Sequence, residues 1–267
     1  MNVLAVLAVI IPMFTSGGRG VDVPSPPGGG GATWRGNEPA GMTFIDERPF
    51  NMLTENDTPH VPFWNATGGS IVTDASAPHS PSNVLRGLYA AGMVGGSAAM
   101  GSSVEGQGIS YKTLYVCWWS KYSANWQGHI TGVNKQSYFS ANGDPATTGW
   151  SAIGVGAADL VPEFFSQAGQ STDGYYRPNL IPSAVVPRGQ WNYIEVVLVG
   201  NTAGNADGTV DWFVNGAHVG SISGMIFETA AAKWDRYALD PVWGGIGDAV
   251  TADMTFDVDH VYLSGKN

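Results

Sequence analysis

The chain has 267 residues, among them 37 Gly, 16 Pro and 10 Trp, with 13% charged residues and a formal net charge of −10 at pH 7. So many Gly with so few charges exclude a coiled-coil or long-helix protein, and 43% hydrophobic residues exclude a disordered tail. The acidity argues against nucleic acid as the main partner, because phosphate binding needs a basic face.

The chain opens on an apolar run over residues 3–14, followed by Thr15, Ser16, Gly17 and Gly18. The run is too short to span a bilayer, so no transmembrane span is expected. Residues 1–16 admit two readings. One is a secretory signal, which implies an extracellular or cell- or particle-surface location. The other is an apolar arm through which the chain self-associates. Residues 17–33, with Pro24, Pro26, Pro27 and the run of glycines at 28–31, read as a linker that cannot build a core. The folded domain is then 34–267, about 230 residues, which suits one β-sandwich. Two triplets, Asn56-Asp57-Thr58 and Asn65-Ala66-Thr67, match the N-glycosylation pattern.

Strand signals dominate that domain. Residues 114–122 are dense in aromatic and β-branched side chains. Tyr115, Cys117, Trp119 and Lys121 should share one face, and Leu114, Val116, Trp118 and Tyr122 the other. Residues 192–199 read as a second strand, on which Glu195 is a lone carboxylate expected on a solvent or rim face. Residues 209–214 and 217–222 flank Asn215-Gly216, a strong hairpin signal. Residues 226–237 are the best helix candidate, worth a turn or two. Residues 256–263 alternate, with Phe256, Val258, His260 and Tyr262 predicted on one face. Many strands, frequent turns and almost no helix predict an all-β antiparallel sandwich or jelly roll.

Familiar chemistry is missing. There is no Cys-x-x-Cys or His-Glu-x-x-His, so no metal site is predicted. No Gly-x-Ser-x-Gly elbow and no phosphate-cradling loop is present. The one cysteine, Cys117, reads as a small buried hydrophobe. No strand carries the close pair of carboxylates that a retaining glycosidase needs.

The informative segment is 112–140. It packs three Trp, three Lys, His129, Gln127 and several Tyr into two predicted strands and their connection. Aromatic rings over a groove with a few donors are how sugar rings are held. Trp119, Lys121, Trp126, Gln127, His129, Asn134, Lys135 and Tyr138 are therefore candidates for a carbohydrate groove. For any single Trp, a place in the core is the plainer reading.

Several stretches together resemble the concanavalin A-like lectin/glucanase jelly roll, in the form seen in polysaccharide lyases and their relatives. They are Asn37-Glu38-Pro39-Ala40-Gly41-Met42, residues 77–86, residues 114–139, Arg188-Gly189-Gln190-Trp191-Asn192, Asp207-Gly208, Asp211-Trp212-Phe213-Val214-Asn215-Gly216 and residues 259–265. The resemblance covers nearly all of 34–267 and implies fold more specifically than activity. It implies a polysaccharide partner and, where lyase chemistry is present, β-elimination on a uronate polymer. By matching position, Lys135 and Tyr138, with Gln127 and His129, are the implied catalytic residues, and Arg86 would bind the uronate carboxylate. It also implies a calcium ion in some members, for which Asp257, Asp259 and Asp207 are available oxygen ligands. Three functions follow as expectations: a polysaccharide-binding protein, a polysaccharide lyase, and a structural or adhesive protein of a surface, particle or filament anchored by its N-terminal arm.

Overall fold

A computed structural model describes residues 34–50, 60–61, 64–65, 67–79, 82–105, 109–143, 150–156 and 160–267. The expected signal or anchoring arm, the linker and Asn56 lie outside the described residues, as does Ala66 of the second triplet. Among the described residues no helix is long and apolar enough to cross a membrane.

The described chain is an antiparallel sandwich of two large sheets, with a separate two-stranded ribbon in which His60–Val61 pairs Trp64–Asn65. One sheet has eight strands, in the order Ala217–Met225, Gly208–Val214, Asn192–Val199, Thr113–Tyr122, Met254–Lys266, Asn83–Tyr89, Ser70–Thr73. Thr43–Pro49 completes it by pairing the second half of Met254–Lys266. The other has nine, running Gly174–Tyr176, Pro162–Gln167, Trp150–Gly156, Val133–Ala141, Trp234–Leu239, Met100–Glu105, Thr67–Gly68, with Val242–Trp243 and Ser97–Ala98 attached beside Val133–Ala141. The predicted jelly-roll class is the one observed.

The alternation along Thr113–Tyr122 sets the layers. Leu114, Val116, Trp118 and Tyr122 enter the core between the sheets, where Phe139, Phe164, Tyr237 and Leu239 meet them from the nine-stranded sheet. Tyr115, Cys117 and Trp119 face outward, into a second cluster with Tyr193, Phe213 and Tyr262. Cys117 is buried as expected, and burial pushes its thiol well above the usual range. Trp118, Trp212, Trp234 and Trp243 are fully buried, so much of the tryptophan excess fills the core. Asn215 and Gly216 turn their hairpin with φ of 52° and 81°, as two-residue turns require.

Three expectations are corrected. Residues 226–237 form no helix: a loop leads into the strand Trp234–Leu239, whose Trp234, Tyr237 and Leu239 the core claims. Glu195 is fully buried, not on a rim; its carboxylate accepts from Asn37 N at 3.1 Å, Asn37 Nδ2 at 2.7 Å and the Tyr115 hydroxyl at 2.7 Å. The simple alternation of 256–263 fails at a bulge. Val258 pairs Ser120 and Val261 pairs Trp118, so the core row is Phe256, Val258, Val261, Leu263, and His260 and Tyr262 face outward.

Candidate functional site

A second bulge builds the candidate site, on the outer face of the nine-stranded sheet. Against Trp150–Gly156, Lys135 pairs Gly154 and Ser137 pairs Ile153, which leaves Gln136 as an extra residue. Two successive side chains then point inward. Gln136 Nε2 donates to the Tyr122 hydroxyl at 3.0 Å, and the Ser137 and Tyr237 hydroxyls share a hydrogen bond of 3.0 Å. Lys135 and Tyr138, three apart, consequently share the outer face, with the Lys135 ammonium 5.8 Å from the centre of the Tyr138 ring.

Register brings the other residues alongside. Gly154 pairs Glu163, so the backbone positions of Lys135, Gly154 and Glu163 form one row across three strands. The next row runs Tyr138, Ala152, Phe165, Tyr175. Phe165 lies buried beneath the edge of Tyr175, ring centres 4.8 Å apart, and Tyr175 is 57% exposed. Arg177 Nε lies 2.8 Å from Glu163 Oε1. Lys135, Glu163, Tyr175 and Arg177, with Thr131, Gly132, Val133, Gly244 and Gly245, line a cleft of about 580 Å³, and Tyr138 stands beside Lys135 on the same face of the sheet. The cleft has room for a ligand the size of a few sugar rings.

The electrostatics suit proton transfer. Burial lowers the Lys135 ammonium to about 8 against the opposing pull of Asp240. Burial and Asp240 together push the Tyr138 phenol well above its ordinary value. Burial also raises the Asp240 carboxyl, opposed by Arg236 and Lys135. The cleft therefore holds an amine that gives up its proton readily, and beside it on the same face stands a phenol that keeps one.

Of the residues singled out in the sequence, the structure brings Lys135 and Tyr138 together and places the rest elsewhere. His129 is fully buried, with Nε2 2.6 Å from the Gly247 carbonyl and Nδ1 2.8 Å from Thr131 Oγ1. It supports the cleft wall from behind: a Cβ at Gly244, whose φ is 68°, would collide with its ring. Gln127 Oε1 accepts from Thr251 N at 2.9 Å and Thr251 Oγ1 at 2.7 Å, and its amide holds the Ala249 carbonyl. Trp126 sits in the core against Tyr89 and Tyr122, and Asn134 is buried.

The others belong to the eight-stranded sheet. Arg86 is bidentate to Asp257, at 2.7 and 2.8 Å. Lys121 pairs Asp74 and lies over the Trp191 ring, and Trp119 stacks on Tyr193 at 5.0 Å. The expected single groove joining Trp119 and Lys121 to Lys135 and Tyr138 is thus not formed, because the two strands of segment 112–140 lie in different sheets. Among the expected calcium ligands, Asp257 holds Arg86, Asp259 Oδ2 accepts from His79 N, and Asp207 accepts from Thr202. Glu163, Tyr175, Arg177 and Asp240 were missed in the sequence. The alternation of Tyr175 and Arg177 after Asp173-Gly174 is a signal, but a three-residue strand is too short to read by period.

No protein-family model and no curated protein sequence matches the chain. Solved structures do. An alginate lyase from Aplysia kurodai superposes with a TM-score of 0.60 at 15% identity, over 83% of this chain and 98% of that one. The chain shares their jelly-roll fold. An alginate lyase from a Chlorella virus gives 0.57 at 13% identity, over 84% and 100%. An endo-β-1,4-glucuronan lyase from Trichoderma reesei gives 0.55 at 16%, over 84% and 96%. The likeness expected from the sequence is therefore found at the level of fold.

Proposed function

We propose that the protein binds an acidic, uronate-containing polysaccharide across the outer face of the nine-stranded sheet and cleaves it by β-elimination. Lys135 in the cleft, with Tyr138 beside it on the same sheet face, carries this reading. Lys135, as the neutral amine, takes the proton α to the uronate carboxylate, and the electrons of that C–H bond form the new C=C bond. The C–O bond to the β-placed glycosidic oxygen breaks, and Tyr138 protonates the departing oxygen. Arg177 is the cleft's guanidinium, suited to neutralise the carboxylate and so favour loss of the α proton. Tyr175 offers an exposed ring on which a pyranose can stack. That the solved structures sharing the fold include lyases of alginate and glucuronan supports the substrate class.

The test is incubation with a panel of polyuronates, following ultraviolet absorbance of the unsaturated product. Product should form with at least one polymer. Lys135→Met and Tyr138→Phe should each lower its rate by roughly a hundredfold or more with the fold retained. Saturable binding without product on every polymer would leave a polysaccharide-binding protein and overturn the lyase.

A further inference from the structure

A second cluster lies on the outer face of the eight-stranded sheet, away from the cleft. Three elements supply it: Glu47 from Thr43–Pro49, His79 from the loop after Ser70–Thr73, and His260 from Met254–Lys266. One potential ligand atom from each lies within 4.8 Å of the other two.

The fold builds this cluster deliberately. The bulge after Val258 turns His260 out of the core row, yet leaves it only 5% exposed. Pro49 pairs His260 and Glu47 pairs Tyr262, so Glu47 lies one diagonal step from His260 on the same face. Its Oε1 is 2.9 Å from His260 Nε2. His79 is held from two sides. Its backbone N–H donates to Asp259 Oδ2 at 2.6 Å, and its ring lies flat on Trp34, centres 4.1 Å apart. Trp34 also meets His260 edge-on at 4.9 Å, and the two imidazoles are 4.4 Å apart.

Two imidazoles and one carboxylate brought together from three elements are a donor set for a metal ion.

We propose that Glu47, His79 and His260 form a binding site for one divalent transition-metal ion of the zinc class, with a fourth position open to water. Tetrahedral bonds of about 2.0–2.1 Å place ligand atoms about 3.4 Å apart. Half-exposed Glu47 and exposed His79 can close to that spacing by rotamer adjustment around the fixed His260 ring. Two nitrogen donors and one oxygen disfavour calcium, which takes six to eight oxygens. A bound ion would tie the Thr43–Pro49 strand and the loop bearing His79 to the last strand, and so act on stability rather than on the cleft.

The test uses the full chain, stripped with a chelator and dialysed. Calorimetric titration with zinc sulfate should show one ion per chain, and the cobalt(II) form should show the visible bands of a four- or five-coordinate site. His79→Ala and Glu47→Ala should each weaken zinc binding by at least the roughly tenfold to hundredfold that even an outer-shell partner carries, and should remove the cobalt bands. His79 is exposed, so its variant should keep the fold, confirmed by an unchanged melting temperature of the metal-free chain. Absence of stoichiometric zinc binding, zinc binding unchanged in both variants, or displacement of zinc by equimolar calcium would each overturn the proposal.

Discussion

Lys135 shows how one residue couples function to stability. Its ammonium falls from 10.5 in the unfolded chain to about 8 in the fold, because burial disfavours the charged form. Between those values the unfolded chain binds more protons, so the lysine's contribution makes stability rise with pH from about 8 to about 10.5. Below pH 8 both states carry the charge and the folded one bears the full cost of burying it. Lys135→Met should therefore raise the melting temperature at pH 7 by a few degrees. That corresponds to on the order of 1 kcal/mol once solvent screening is allowed for. The same substitution should lower the rate of product formation by roughly a hundredfold or more. A structural lysine would do the opposite on the first count, so calorimetry of the variant separates the roles. In the native chain the rate of elimination should climb as pH passes through about 8, tracking the neutral amine, and a pH–rate profile with no rise there would exclude Lys135 as the base. The sequence showed this residue and Tyr138 because cation and aromatic stand close on one predicted strand. Arg177 and Glu163 were not legible, since only strand register brings them to Lys135.

At the scale of elements, two bulges do most of the positioning, and both break the period of two on which strand reading depends. An unbroken alternation would place Tyr138 on the core side when Lys135 faces out. The extra residue Gln136 instead lets core tyrosines satisfy two successive polar side chains. The segment at 34–42 is the other element whose role the sequence hid. Arg35 N donates to the Tyr193 hydroxyl at 2.9 Å, Asn37 is held by Glu195, and Glu38 accepts from Tyr262 and Ser264. Glu195 looked like a rim residue because its partners Tyr115 and Asn37 are 80 and 158 positions away in the chain. Removing it leaves the half-buried amide and backbone N–H of Asn37 and the buried Tyr115 hydroxyl without their acceptor. Glu195→Ala should cost about 3 kcal/mol, or roughly 6–12 °C of melting temperature, and should speed proteolysis within residues 34–42. A melting temperature unchanged within a degree would mean that this segment is not fastened through Glu195.

At the scale of the whole molecule the two outer faces are treated differently. The eight-stranded sheet is roofed by residues 34–42 and the loop at 74–79, whose Asp74 and Ser76 reach Lys121 and Trp191. The nine-stranded sheet keeps its cleft, with Lys135 and Arg177 as cations in a chain of net charge −10. A polyuronate therefore meets repulsion at long range and attraction at contact. Salt separates the two by distance, because the screening length falls from about 30 Å at 0.01 M to about 10 Å at 0.1 M. Over that interval the repulsion from the rest of the surface is largely screened, while the ion pairs at a few ångströms inside the cleft are not. KM for a long polyuronate should accordingly fall between 0.01 and 0.1 M salt, and kcat should stay nearly constant. A short oligomer, with less charge outside the cleft, should show a smaller change. KM rising from the lowest salt onward would instead mean that the local field of Lys135 and Arg177 outweighs the net charge. In that case Arg177→Gln should flatten the dependence.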